Sequence, residues 1–223
     1  MNDDGREDSY FKLIGLFLAF LIFAFNQDLA LIYIAIMVVD YWWYKSDNFI
    51  SFPLSRGRQT NTRVYLEAVI GLALFLGLST VLAKAVGVQS LFQLLSAATP
   101  VLKDSRVLTV LGWGVLVPII ETRFWNGRLL EGFATYAQLI TKKPVTLTKA
   151  SGMLGLVIVF VGLLFVLFHI AGKGTTNAPL LVTFLFSVIS SLMVLRHKEL
   201  KGAVLMHILL NTAAVLSLPL FQT

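Results

Sequence analysis

Three apolar stretches of the chain each carry polar residues of a type that does chemistry. They are Pro118-Ile119-Ile120-Glu121, Phe165-Val166-Leu167-Phe168-His169, and His207-Ile208-Leu209-Leu210-Asn211. Ionisable groups inside apolar helices cost roughly 2.5–3.5 kcal/mol on insertion scales, so they are kept for pairing, transport or reaction. Positions i and i+4 share a helix face, which aims His207 and Asn211 at one place and sets Phe165 beneath His169. A carboxylate, two imidazoles and a carboxamide supply the parts of a hydrolytic site: a base for water, a partner that orients it, and donors for a developing oxyanion. Glu121, His169, His207 and Asn211 are the candidate catalytic set.

The same residues admit other readings. Each His can hydrogen-bond across helices while Glu121 pairs with Arg128, seven residues on and near the same face. A proton or ion path is a further use of intramembrane ionisable groups, although the chain shows no inverted repeat. Glu121, His169 and His207 are also ligand types of catalytic zinc sites, but no His-Glu-x-x-His occurs and the sequence requires no metal. Asp40 and Glu67 lie near the ends of apolar runs, where a structural role or snorkelling to the interface is expected of them.

The elements that must position these groups are membrane spans. Of 223 residues, 57% are hydrophobic and 13% charged, with a mean hydropathy of +0.81. Lipid is then the main solvent, and backbone amides without water satisfy one another as helices. Apolar runs fall near 11–25, 29–44, 64–83, 107–121 continuing toward 139, 151–171, 179–195 and 202–220. The expected fold is all-α: a polytopic helical membrane bundle of about seven transmembrane helices. Runs one and two form a hairpin across Asn26-Gln27-Asp28, the first kept as a helix rather than cleaved, and Tyr41, Trp42, Trp43 and Tyr44 form an interfacial belt. The longest polar connection runs from Lys45 to Arg63, and Gln89 to Leu102 reads as an amphipathic segment at an interface. Residues 1–106 are thus N-terminal spans and an interfacial segment, and 107–223 the core of one integral bundle.

The surplus of 18 Lys and Arg over 12 Asp and Glu belongs to loops beside the spans and implies no nucleic acid. On one side lie Arg6, Lys12, Lys45, Arg56, Arg58, Arg63, Lys142, Lys143, Lys149, Arg196, Lys198 and Lys201; on the other, Lys84, Lys103, Arg106 and Lys173. The asymmetry predicts a cytoplasmic N-terminus, and the expected location is the plasma membrane. With no cysteine, disulfides, thiolate metal sites and a cysteine nucleophile are excluded. A flat count of spans sets His169 near one face and His207 near the other, over about 10 Å apart in depth. A shared site therefore needs a bend, expected at Ala171-Gly172-Lys173-Gly174.

The three motifs make the chain resemble the CPBP family, the CAAX-protease and bacteriocin-processing intramembrane endopeptidases, also called the ABI family. The family's pattern is Glu-Glu-x-x-x-Arg, usually after a proline and ending in Gly, then Phe-x-x-x-His, then His-x-x-x-Asn or His-x-x-x-Asp. Pro118 to Gly127, Phe165 to His169 and His207 to Asn211 match it in order, over roughly residues 107–218. The resemblance implies that Glu121 activates water with His169, and that His207 and Asn211 stabilise the oxyanion. Thr122 stands where the family has its second glutamate and Asn126 where it has arginine, with Arg123 or Arg128 available to substitute. Thr122, Asn126, Arg128 and Phe165 are supporting positions. The implied partners are membrane lipid and a membrane-associated peptide or protein substrate; a divalent metal such as zinc is compatible with the residues, and oligomeric state is left open. A non-catalytic member of the family, serving immunity or scaffolding, is the alternative.

Overall fold

The computed structural model describes residues 61–85, 87, 106–134, 151–173 and 177–217, and among them there are helices and no strand. The first two apolar runs, Asp40, the aromatic belt and the 89–102 segment lie outside these residues. Five helices answer the last five apolar runs. We label them α1 (Asn61–Ala85), α2 (106–134), α3 (Ser151–Lys173), α4 (Asn177–His197) and α5 (Lys201–Leu216). Thr62–Ala85, Gly152–Ile170 and Leu180–His197 are each long and apolar enough to cross a bilayer. With 16 residues, α5 reaches only roughly 24 Å at 1.5 Å per residue, short of a hydrocarbon core.

The outer surface identifies the solvent. Along α1, Leu66, Ile70, Leu74, Leu78 and Val81 form an exposed apolar stripe, and Leu156, Phe160, Leu163 and Leu167 do the same on α3. Such faces are costly in water and natural against lipid. The protein is therefore an integral membrane protein. Inside, association between apolar helices relies on close fit, and small residues mark the crossings. A Cβ on Gly162 of α3 would come 2.9 Å from Phe184 of α4, and one on Gly202 of α5 would come 2.8 Å from Met193 of α4. Phe75 of α1 meets Phe186 of α4 edge-on at 5.5 Å, and Phe133 of α2 meets Phe160 of α3 at 5.1 Å.

α2 is one continuous helix with two π segments set into it. An α turn at Arg106–Thr109 opens into a π segment, Val110–Leu116, followed by α at Val117–Thr122, a second π segment at Arg123–Leu129, and α again to residue 134. Every junction residue keeps right-handed helical angles. The first wide turn precedes Pro118, whose ring in a regular α-helix would clash with the carbonyl four residues back; opening the turn relieves that crowding. Of the Gly-rich link where a bend was expected, Ala171, Gly172 and Lys173 continue α3, and Gly174 lies outside the described residues. A single glycine between helix-compatible residues lowers propensity without ending a helix, whereas Pro118 removes a donor outright.

α4 and α5 are joined by a very short turn. Lys198 takes the left-handed conformation, φ 56°, and its N–H bonds to Val194 O at 2.7 Å, an αL cap made by a residue other than glycine. The turn is tied to α1 through Glu67, whose carboxylate lies 3.0 Å from Arg63 Nε, 2.6 Å from Arg196 Nε and 2.9 Å from His197 Nε2. Glu67, read as structural or snorkelling, holds the end of α4 against the start of α1. Because a Cβ makes the left-handed region unfavourable, Lys198→Gly should stabilise the protein by about 1 kcal/mol. Denaturant unfolding in detergent micelles checks this, and a loss of stability would show that the turn carries no strain.

Candidate active site

His207 sits on the buried face of α5 and points at two consecutive residues of α2. Its Nε2 is 3.4 Å from Glu121 Oε2, slightly longer than a standard hydrogen bond. Its Nδ1 is 3.1 Å from Thr122 Oγ1. Phe186 of α4 covers the ring at a centroid distance of 4.6 Å. Glu121, Thr122 and His207 are all buried. In such surroundings a carboxylate and an imidazole interact far more strongly than in water, and each needs its polar partners.

Asn211, one turn beyond His207, has a partner that the sequence reading missed. In the first π segment the Val117 N–H bonds to Gly112 O, five residues back. The next N–H in that register, due to Trp113 O, would be residue 118, which is a proline and has none. In the α register Gly114 O would wait for the same missing donor. α5 supplies both: Asn211 Nδ2 donates to Trp113 O and Thr212 Oγ1 to Gly114 O, each at 3.2 Å. Gly114 allows the approach, since a Cβ there would lie 2.9 Å from Thr212 Oγ1. The signal was present in Pro118, read five and four residues back.

His169 is linked to α2 through aromatic rings. Its Nδ1 lies 2.8 Å from Phe165 O; a carbonyl only accepts, so Nδ1 carries the proton and the neutral ring has its lone pair on Nε2. Phe165 packs on His169 at 4.3 Å and on Trp125 at 5.4 Å. Trp125 stands one turn beyond Glu121 on α2. The Phe-x-x-x-His spacing thus serves twice, once by ring contact and once by the backbone carbonyl. The structure brings Glu121, Thr122 and His207 into direct contact and ties His169 to them through Trp125 and Phe165. The antiparallel run of α2 against α3, with Phe133 by Phe160 and Trp125 by Phe165, carries the His169 end of α3 toward the Glu121 end of α2. The start of α5 lies beside Gly127 of α2, where Leu200 Cδ1 would lie 3.2 Å from an added Cβ.

The two departures from the family motif each make a neutral contact. Thr122 holds His207, and Asn126 Nδ2 donates to Ser191 Oγ of α4 at 3.0 Å. Arg123 is buried beside them and Arg128 half-buried. Among the described residues no three His, Asp or Glu side chains are gathered so as to hold a metal ion. Glu121, His169 and His207 therefore do not fit a common zinc site in this arrangement.

A buried carboxylate–imidazole contact inside a lipid-facing helical bundle defines an integral membrane protein with an intramembrane polar centre. Residues 103–213 match a protein-family model described as Type II CAAX prenyl endopeptidase Rce1-like. The chain carries a domain of this CAAX-protease family, the one its three motifs resemble, and the matched stretch contains α2 to most of α5 with every candidate residue. No curated protein and no solved structure matches the chain.

The account of Pro118 predicts energetic coupling between two helices. Asn211→Leu, which leaves the Trp113 carbonyl without its donor, should cost about 1–3 kcal/mol. In a Pro118→Ala background, where residue 118 regains an N–H, the same change should cost clearly less. Unfolding of the four proteins of this double-mutant cycle in micelles reads the coupling; equal costs in both backgrounds would contradict it.

Proposed function

We propose that the protein is an intramembrane endopeptidase in which Glu121 and His169 activate water while His207 and Asn211 stabilise the oxyanion. The observation that carries the reading is the buried contact between Glu121 and His207, made within the stretch that matches the CAAX-protease family. The Glu121 carboxylate takes a proton from water as the water oxygen bonds to the peptide carbonyl carbon, with His169 Nε2 available as the cooperating acceptor. The carbonyl electron pair moves onto oxygen, and the tetrahedral oxyanion is met by His207 Nε2–H and by the Asn211 Nδ2 hydrogen not given to Trp113 O. Collapse re-forms the carbonyl and breaks the C–N bond; the departing amine takes the proton held by Glu121. No step needs a metal.

The substrate on this reading is a peptide or protein held at the membrane, which reaches the centre from lipid. The matched family's description names prenylated CAAX ends, so a farnesylated CAAX peptide is the first probe. The orientation in this account has the N-terminus in the cytoplasm, in a plasma-membrane protein, with 1–106 as accessory spans and 107–223 as the protease core. A second reading, a non-catalytic immunity or scaffolding protein, draws support from Asn211, whose bond to Trp113 O is a structural task, and from the neutral residues at 122 and 126.

Glu121→Gln keeps the side-chain size and removes the base. Cleavage of the farnesylated peptide in proteoliposomes should fall by roughly 10²–10⁴-fold, with helical content and unfolding midpoint nearly unchanged. Turnover that survives the substitution would rule out Glu121 as the base. A matched fall in stability and no product from the unaltered protein would favour the scaffolding reading.

A further inference from the structure

We propose that Thr122 is a positioning residue that sets the tautomer of His207, and so decides which ring nitrogen presents a hydrogen to the reaction. The geometry stands by itself; the catalytic consequence rests on the endopeptidase reading. A neutral imidazole carries one proton and must place it on Nδ1 or Nε2. Nε2 faces a carboxylate oxygen at 3.4 Å, and an ionised carboxylate only accepts. Proton on Nε2 gives attraction there; a lone pair on Nε2 would face oxygen lone pairs in a buried, weakly screened setting.

That choice leaves a lone pair on Nδ1, which when buried needs a donor. Thr122 Oγ1 is 3.1 Å away and can donate. A residue at 122 with no hydroxyl would take this donor away from Nδ1 and weaken the preference. Two consecutive residues of α2 thus hold both nitrogens of one ring, while Phe186 fixes its plane from the side. The outcome complements His169, whose bond to Phe165 O places the proton on Nδ1 instead. The two imidazoles are set in opposite tautomers: His169 to accept at Nε2, His207 to donate from Nε2. In the family pattern position 122 is a second carboxylate, an acceptor that could not donate to Nδ1 when ionised. The threonine hydroxyl does what that carboxylate could not.

The chain has three histidines, so nitrogen-15 labelling of histidine in the full-length protein in micelles yields three ring systems, with His207 assigned by His207→Gln. The inference requires a protonated Nε2 and an unprotonated Nδ1 for His207 in the unaltered protein; the reverse pattern overturns it. Thr122→Val should shift the His207 nitrogens toward a mixture of tautomers, and Thr122→Ser, which keeps the hydroxyl, should leave them in place. His207 signals unmoved by Thr122→Val would overturn the role of Thr122. With the farnesylated peptide, Thr122→Val should lower kcat on the order of tenfold with KM within about twofold of its starting value, and Thr122→Ser should restore it. If the spectra behave as stated and the unaltered protein cleaves nothing, the endopeptidase reading fails while the positioning role stands.

Discussion

In a bilayer every backbone carbonyl must find a donor within the protein, and a proline in a buried helix breaks that closure. Pro118 leaves the carbonyls of Trp113 and Gly114 without their usual partners, and the side chains of Asn211 and Thr212 take over. The requirement is local, but its effect is long-range, because it fixes the rotation and depth of α5 against α2. His207 lies four residues before Asn211 on the same face, so the helix that repairs the backbone also delivers an imidazole to Glu121. The first π segment of α2 belongs to the same adjustment: a wider turn makes room ahead of Pro118 and changes which side chains face inward. A break that looks like a cost to one helix becomes the register device of the bundle.

The polar centre is built with few charges. Thr122 and Asn126 replace the charged residues of the family pattern, and each finds a neutral partner on a different helix, His207 on α5 and Ser191 on α4. Taking a charge out of water is far more costly than taking a hydroxyl or an amide, provided the latter are hydrogen-bonded. Exchanging both members of an oppositely charged pair for neutral groups that remain satisfied preserves the balance in a way that exchanging one would not. What is retained is Glu121, whose contact with His207 survives the substitutions around it. The charged network at the other location, around Glu67, is where such groups are cheap: Arg63 and Arg196 are more than half exposed there, and their role is to close the α1–α4 corner.

Much of this was legible in the amino-acid order. Unbroken apolar runs marked α1, α3 and α4, since length and hydrophobicity are what a bilayer selects. The i, i+4 spacing of His207 and Asn211 placed them on one face, and the order of the three motifs identified the family before any contact was known. Other features could not be read. The two tasks of Asn211 look identical in sequence, because an amide that caps a carbonyl and one that awaits an oxyanion have the same spacing. The contact of Leu200, at the start of α5, with Gly127 of α2 is likewise invisible in the order of the apolar runs. The contact of Thr122 with His207 joins residues 85 apart, and no local pattern announces it. Pro118 was noted as part of a motif; its missing N–H, counted back along the helix, would have pointed to Trp113 and Gly114.

The claim at the centre of this account is that water, activated at Glu121, is added directly to a peptide carbonyl. A single turnover of a farnesylated CAAX peptide in proteoliposomes made up in oxygen-18 water tests it, with mass spectrometry of both the product and the protein. The account predicts one labelled oxygen in the new carboxyl end of the peptide and none in the Glu121 side chain. Label in Glu121 would signify a covalent acyl step on that residue, and the absence of any product from a well-folded protein would contradict the hydrolytic reading itself.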